Sequence, residues 1–141
     1  MDCEKSLGDA IDLLADGRDA EAETALEDFI RGLKAGMDAT AGDAERYYWW
    51  GRSLSLLEEP EQALLRFEEA MQIRPDHEGS LWETVRILLY DLDHPQGAKA
   101  ILERSLLPLR PGHAPYREAL AAAKTLLRRR GATPSSSSFP S

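Results

Sequence analysis

Residues 44–77 read AERYYWWGRSLSLLEEPEQALLRFEEAMQIRPDH, and this stretch decides the fold. Its small and apolar side chains recur at the spacing of a helix face in two groups: Tyr47, Trp50, Gly51 and Leu54, then Ala63, Phe67 and Ala70. Pro60 lies between the groups, where its missing N–H suits the first turn of a new helix. Pro75 ends the second group. The stretch therefore predicts two helices joined by a tight turn.

The same internal spacing occurs on both sides of this stretch. Three pairs of positions are twelve residues apart, and a large apolar side chain follows each pair by four residues: Ala10 and Ala22 with Leu26, Gly51 and Ala63 with Phe67, and Arg86 and Ala98 with Leu102. Three copies of one spacing indicate a repeat architecture rather than a single amphipathic helix pair. We expect the units at about residues 3–36, 44–77 and 79–112.

The middle unit resembles a tetratricopeptide repeat, whose pattern is W-x2-L-G-x2-Y, then A-x3-F, then a closing P, at a period of 34. The residues that carry the resemblance are Tyr47, Trp50, Gly51, Leu54, Ala63, Phe67 and Pro75 in the middle unit, and Trp82, Leu89, Ala98, Leu102 and Pro111 in the third. Arg86 replaces the small residue of the third unit, and the first unit is the furthest from the pattern. The resemblance implies an all-α fold: a right-handed superhelical array of antiparallel helix pairs, with about seven helices in a single domain over residues 1–131.

A capping helix is predicted at about residues 114–130, which read APYREALAAAKTLLRRR. Pro115 suits its first turn, and the three arginines at its end complement the negative end of the helix dipole. The following residues, 132–141, read ATPSSSSFPS and are predicted to form a disordered tail.

Composition narrows the classes of function. The chain has 141 residues and a net charge of −8, which argues against a nucleic-acid-binding protein. The charge is uneven, because residues 1–40 carry 11 acidic against 4 basic side chains and residues 113–141 carry 1 against 5. The sequence has a single cysteine, Cys3, and it shows neither a secretory signal nor a long apolar run. These features predict a cytoplasmic protein without membrane insertion.

No pattern typical of catalysis is visible. The sequence lacks a Ser-His-Asp or Cys-His arrangement, a glycine-rich phosphate loop and an HExxH motif. His77, His94 and His113 lie near prolines in predicted turns without metal-ligand spacing, and Asp93 suits a helix cap before Pro95. We therefore predict no enzymatic activity, no metal and no cofactor.

The resemblance implies a binding groove lined by the first helix of each unit. Its predicted residues are Glu45, Tyr48, Trp49, Arg52, Leu56, Glu83, Ile87 and Tyr90. Tyr48 and Trp49 do not lie on the apolar face of their helix. Partner contact and packing between repeats are therefore equal alternatives for these two side chains. A mixed aromatic and acidic groove suits a protein or peptide that is basic or amphipathic.

We expect a protein–protein interaction module, an adaptor, scaffold or chaperone-like protein, that binds a peptide or helix of a partner in this groove. The alternative is a structural module that forms homo-oligomers through its acidic N-terminal and basic C-terminal ends.

Overall fold

The computed structural model describes residues 2–37 and 43–131, and the ordered elements in these ranges are all helical. The helices are α1 (Cys3–Ala15), α2 (Asp19–Met37), α3 (Ala44–Leu56), α4 (Pro60–Ile73), α5 (Glu78–Arg86), α6 (Pro95–Ile101) and α7 (Ala114–Gly131). A π-helical segment, Ile87–Asp91, extends α5, while α6 continues through a second one, Leu102–Leu106, and a last α-helical turn, Leu107–Leu109. The predicted disordered tail lies outside the described residues.

The chain forms two compact units, one ending at Ser80 and one beginning at Leu81. Each has its own buried side chains. The single domain expected over residues 1–131 stays a prediction.

In the first unit, α1 packs against α2, and α2 packs against α3. Asp2 caps α1, because its side chain accepts a hydrogen bond of 3.0 Å from the backbone N–H of Lys5. The buried cluster between α1 and α2 consists of Leu7, Ala10, Leu26, Phe29 and Leu33. The first repeat therefore buries an apolar face although its sequence matches the repeat pattern least.

The most extensive helix contact in the first unit joins α3 to α4. Gly51 lies directly against the ring of Phe67, and a Cβ atom at Gly51 would be 2.7 Å from that ring. Phe67, Ala63 and Ala70 are completely buried. Small residues let the two helix backbones approach, and the phenylalanine ring fills the remaining space.

In the second unit, Trp82 of α5 packs against Tyr116 of α7, with 5.0 Å between ring centroids. The buried side chains here include Leu81, Val85, Leu89, Ala98, Leu102, Leu106, Ala119 and Ala123. Arg86, which stands at the position corresponding to Gly51, is exposed, and Val85 beside it is completely buried. The inward face of α5 is therefore rotated by about one residue relative to that of α3, and the π-helical segment begins directly after Arg86.

The turns between paired helices repeat one unusual backbone feature. Gly17, Glu58 and Asp93 have positive φ angles of 77°, 61° and 53°. Each of them lies five residues before one of the buried alanines at the start of a second helix: Ala22, Ala63 and Ala98. This shared left-handed position supports three repeats independently of the apolar pattern.

Candidate functional site

Tyr48, Trp49 and Arg52 on α3 form a compact group, called here the aromatic–arginine cluster. The Cζ atom of Arg52 lies 5.5 Å from the ring centroid of Trp49 and 5.8 Å from that of Tyr48. The two rings meet edge to face at 5.1 Å. Cation–π attraction thus holds the guanidinium group against both rings. Among the described residues, no carboxylate forms an ion pair with Arg52.

Tyr48 and Trp49 also take part in packing. Trp49 contacts the buried cluster of α1 and α2, and Leu56 packs there as well. Tyr48 lies 6.1 Å from Phe67 and 5.1 Å from His77, measured between ring centroids. Both aromatic side chains remain only partly buried. Packing therefore accounts for one side of each ring, and partner contact stays a prediction for the other.

Glu45, at the start of α3, is held by its neighbours. Its Oε2 lies 2.5 Å from Nε2 of His77 and 3.8 Å from a guanidinium nitrogen of Arg74. The other ring nitrogen of His77, Nδ1, accepts a hydrogen bond of 3.2 Å from the backbone N–H of Ser80. Nε2 therefore carries the proton in the neutral ring and donates it to Glu45.

Ser80, His77 and Glu45 are connected in the order of a catalytic triad, with 2.8 Å between Ser80 Oγ and His77 Nδ1. The same Nδ1 already accepts the Ser80 N–H, as in a helix cap. Ser80 is 0% exposed, so its hydroxyl cannot meet a substrate. The group is a helix cap that also anchors the beginning of α3.

His94 caps α6 in the same way, because its Nδ1 accepts a hydrogen bond of 3.1 Å from the backbone N–H of Gly97. The prediction that Asp93 caps this helix is wrong. Asp93 takes the left-handed backbone position of the turn, and its carboxylate pairs with Arg130 instead.

The predicted groove residues of the second unit differ in exposure. Tyr90 is 66% exposed, whereas Ile87 is only 1% exposed. The side chain of Glu83 is 13% exposed and lies 3.4 Å from a guanidinium nitrogen of Arg86. Ile87 corresponds to Arg52 by repeat spacing, but the rotated inward face of α5 buries it. The proposed partner surface therefore leaves Ile87 out.

Two further features that could carry chemistry are the thiol of Cys3 and possible metal ligands. Burial raises the pKa of the Cys3 thiol, which keeps it protonated and weakly nucleophilic at neutral pH. Within residues 2–37 and 43–131, no three histidine, cysteine or acidic side chains come together in a way that could hold a metal ion.

A second concave surface, not expected from the sequence, lies in the first unit and is called here the α2/α4 groove. It has a volume of about 650 Å³, and Trp50, Leu54 and Leu57 of α3 and the following turn line it between α2 and α4. Lys34 Nζ lies 5.2 Å and Arg66 Cζ 4.4 Å from the Trp50 ring centroid. The sequence predicts Trp50 and Leu54 on the apolar face of α3, and one edge of that face stays open. One feature of the sequence could have indicated this groove. Three charged side chains of α2 recur at helical spacing and line it: Glu27, Arg31 and Lys34.

No family model matches the sequence, and a comparison with curated proteins finds no match. Among solved structures, it is similar to the MamA RS-1 ArsTM double mutant, with 22% identity over 92% of this chain and 68% of that one, and a TM-score of 0.69. It is likewise similar to MamA 41-end from Desulfovibrio magneticus RS-1, with 20% identity over 90% of this chain and 67% of that one, and a TM-score of 0.69. The chain shares its fold with MamA. Identities at this level show the fold alone.

This similarity and the described helices confirm the predicted fold class, an all-α fold of the tetratricopeptide-like helical-repeat kind. Membership of the tetratricopeptide family itself remains a resemblance. None of the helices in the described ranges has the length and apolar character needed to cross a membrane. The cytoplasmic location stays a prediction.

Proposed function

We propose that this chain is a non-enzymatic protein–protein interaction module, an adaptor, scaffold or chaperone-like protein, which binds a peptide or helix of its partner through the aromatic–arginine cluster. The observation that carries the proposal is Arg52, fixed on two aromatic rings without a carboxylate partner among the described residues. Arginine, tryptophan and tyrosine are the residues most enriched at binding hot spots. A guanidinium group that is already ordered loses little side-chain entropy when a partner binds.

The partner is an amphipathic segment. Its apolar side chains cover the exposed edges of Tyr48 and Trp49, and a carboxylate or backbone carbonyl meets Arg52. A purely basic peptide is less favoured, because Glu45 is engaged by His77 and Arg74 and Glu83 lies beside Arg86. Leu56 borders the cluster one helical turn after Arg52.

In the second unit, the proposal assigns partner contact to Tyr90. An aromatic side chain that is 66% exposed offers a large apolar area for burial. It also belongs to a π-helical segment, and such segments are frequent at functional sites.

Replacement of Arg52 tests the proposal. Affinity capture with quantitative mass spectrometry should show a set of partners retained by the wild-type protein and depleted at least about tenfold by Arg52→Glu. Arg104→Glu is the matched control, because Arg104 is exposed, lies on a different helix and undergoes the same charge reversal. Equal retention by all three proteins would show that the cluster is not the binding site.

The alternative function is self-assembly through oppositely charged ends. Two observations support it separately. On α7, Arg117, Lys124 and Arg128 are exposed and lack ion pairs to other described residues. At the other end of the chain, Asp12 and Asp16 are exposed and also lack such pairs. Exposed charges of opposite sign attract over roughly 10 Å at about 0.1 M salt and over roughly 30 Å at about 0.01 M salt.

Light scattering over a range of concentration and salt distinguishes this alternative from the main proposal. Charge-driven assembly gives a mass that rises with protein concentration at low salt and falls back to the monomer at about 0.5 M salt, where screening is strong. A monomer at every concentration and salt would eliminate the alternative and leave the Arg52 experiment unaffected.

A further inference from the structure

We propose that the α2/α4 groove is a second binding site, separate from the aromatic–arginine cluster, and that it accepts an amphipathic helix of a partner protein carrying an acidic and a basic side chain seven residues apart. The groove lies within the first unit, and its floor belongs to a different face of α3 from the one that carries Arg52.

The helix directions define the groove. Lys34, late in α2, lies beside Trp50, and Leu26, early in α2, lies beside Leu57, so α2 and α3 are antiparallel. A turn of three residues, 57–59, joins α3 to α4, and this pair is antiparallel as well. It follows that α2 and α4 run in the same direction along the two sides of the groove.

This arrangement separates the charges of the groove. Glu27 on α2 and Glu59 at the start of α4 lie at one end, while Lys34 and Arg66 lie seven residues later at the other. Seven residues of helix span about 10 Å. The groove thus has an acidic and a basic end, with an apolar floor of Trp50, Leu54 and Leu57 between them.

Three of these four charges are available to a partner. Among the described residues, Glu27, Glu59 and Lys34 form no ion pair. Arg66 pairs with Glu69 at 2.8 Å, and it is drawn at the same time to the Trp50 ring. Lys34 contacts the same ring, so two cations are concentrated at one point of a chain whose net charge is −8.

The complementary ligand follows from these features. Its acidic side chain meets Lys34 and Arg66, its basic side chain meets Glu27 and Glu59, and leucines between them cover the apolar floor. A helix places side chains seven residues apart on one face, at the separation of the two ends of the groove. Groove recognition of an amphipathic helix is a recurrent binding mode.

Synthetic peptides of about 14 residues, or four helical turns, test the proposal in solution by fluorescence polarisation. Three peptides share the same leucine face and differ only at two positions that lie seven residues apart. These positions hold one acidic and one basic residue in the acid–base peptide, two acidic residues in the second peptide and two basic residues in the third. The acid–base peptide should bind the wild-type chain at least about tenfold more tightly than either like-charged peptide.

Charge reversal of one end supplies the second half of the test. In a protein with Lys34→Glu and Arg66→Glu, the acid–base peptide should lose at least about tenfold in affinity, and the peptide with two basic residues should become the preferred ligand. The charge-matched control, Arg104→Glu with Arg129→Glu, should bind like the wild type, because both residues are exposed and lie outside the groove. Circular dichroism checks the fold, and Lys34→Gln with Arg66→Gln replaces the reversed variant if that variant does not fold.

Three results would each overturn the proposal. The first is no binding of the acid–base peptide up to about 1 mM. The second is a lack of charge dependence. It would appear as equal affinity of all three peptides for the wild-type protein, or as equal affinity of the acid–base peptide for the wild-type protein and the charge-reversed protein. The third is self-association of the wild type that the reversed variant abolishes, since the groove then receives a second copy of this chain. None of these results depends on Arg52.

Discussion

At the scale of single residues, the turns between paired helices illustrate how one backbone position constrains the sequence. Gly17, Glu58 and Asp93 share a left-handed conformation. Glycine adopts it freely, whereas a residue with a Cβ atom is strained there by about 1–2 kcal/mol. Asp93 gains an ion pair with Arg130, but Glu58 is exposed and has no described ion pair to offset the strain.

Glu58→Gly should therefore raise the free energy of unfolding by up to about 1 kcal/mol, because relief of strain exceeds the added freedom of the unfolded chain. Gly17→Ala should lower it by about 1 kcal/mol, since alanine is strained at a φ of 77° although its Cβ meets no neighbour. Urea unfolding followed by circular dichroism measures both changes. Stability lost by Glu58→Gly, or gained by Gly17→Ala, would contradict the shared turn geometry.

The exposure of individual side chains was harder to predict than the repeat itself. The sequence predicts Trp50 in the core and Ile87 at the surface, whereas Trp50 lies half-buried in the floor of the α2/α4 groove and Ile87 is buried. Helical spacing determines the direction of a side chain relative to its own helix. The width of the gap between the neighbouring helices, which determines exposure, does not follow from that spacing.

At the scale of helices, the sequence predicted the order and the main breaks because these depend on local chemistry. Pro60 and Pro95 begin second helices, and α4 ends shortly before Pro75. The two π-helical segments were not predicted, because an extra residue in a turn is stabilised by tertiary packing. Arg86 in place of the small residue was the one indication that α5 would present a different inward face.

Two glycines in helices allow a matched test of packing. Gly51→Ala should lower the free energy of unfolding by about 1–3 kcal/mol, because the new Cβ would lie 2.7 Å from the buried Phe67 ring. Gly8→Ala in α1 should raise it by about 0.5–1 kcal/mol, since no atom lies within 4 Å and alanine favours a helix. Thermal unfolding of both variants measures the difference. Equal effects would mean that α3 and α4 are not in the described close contact.

At the scale of the whole molecule, the fold does not determine the function. The likeness to MamA at 20% and 22% identity shows a shared helical-repeat fold, and a fold of this kind hosts many binding specificities. The sequence predicted the residues of the aromatic–arginine cluster, because three hot-spot residue types fall together on one first helix. The proposed ligand is amphipathic rather than purely basic, because His77 and Arg74 engage Glu45, whereas Arg52 has no ion pair among the described residues.

The central claim, that Arg52 on its aromatic rings binds a partner protein, is tested most directly by calorimetric titration of the captured partner into purified wild-type, Arg52→Glu and Arg104→Glu proteins. The dissociation constant should rise at least about tenfold for Arg52→Glu, which corresponds to about 1.4 kcal/mol, and should stay within about twofold for Arg104→Glu. An unchanged dissociation constant for a folded Arg52→Glu protein would contradict the claim.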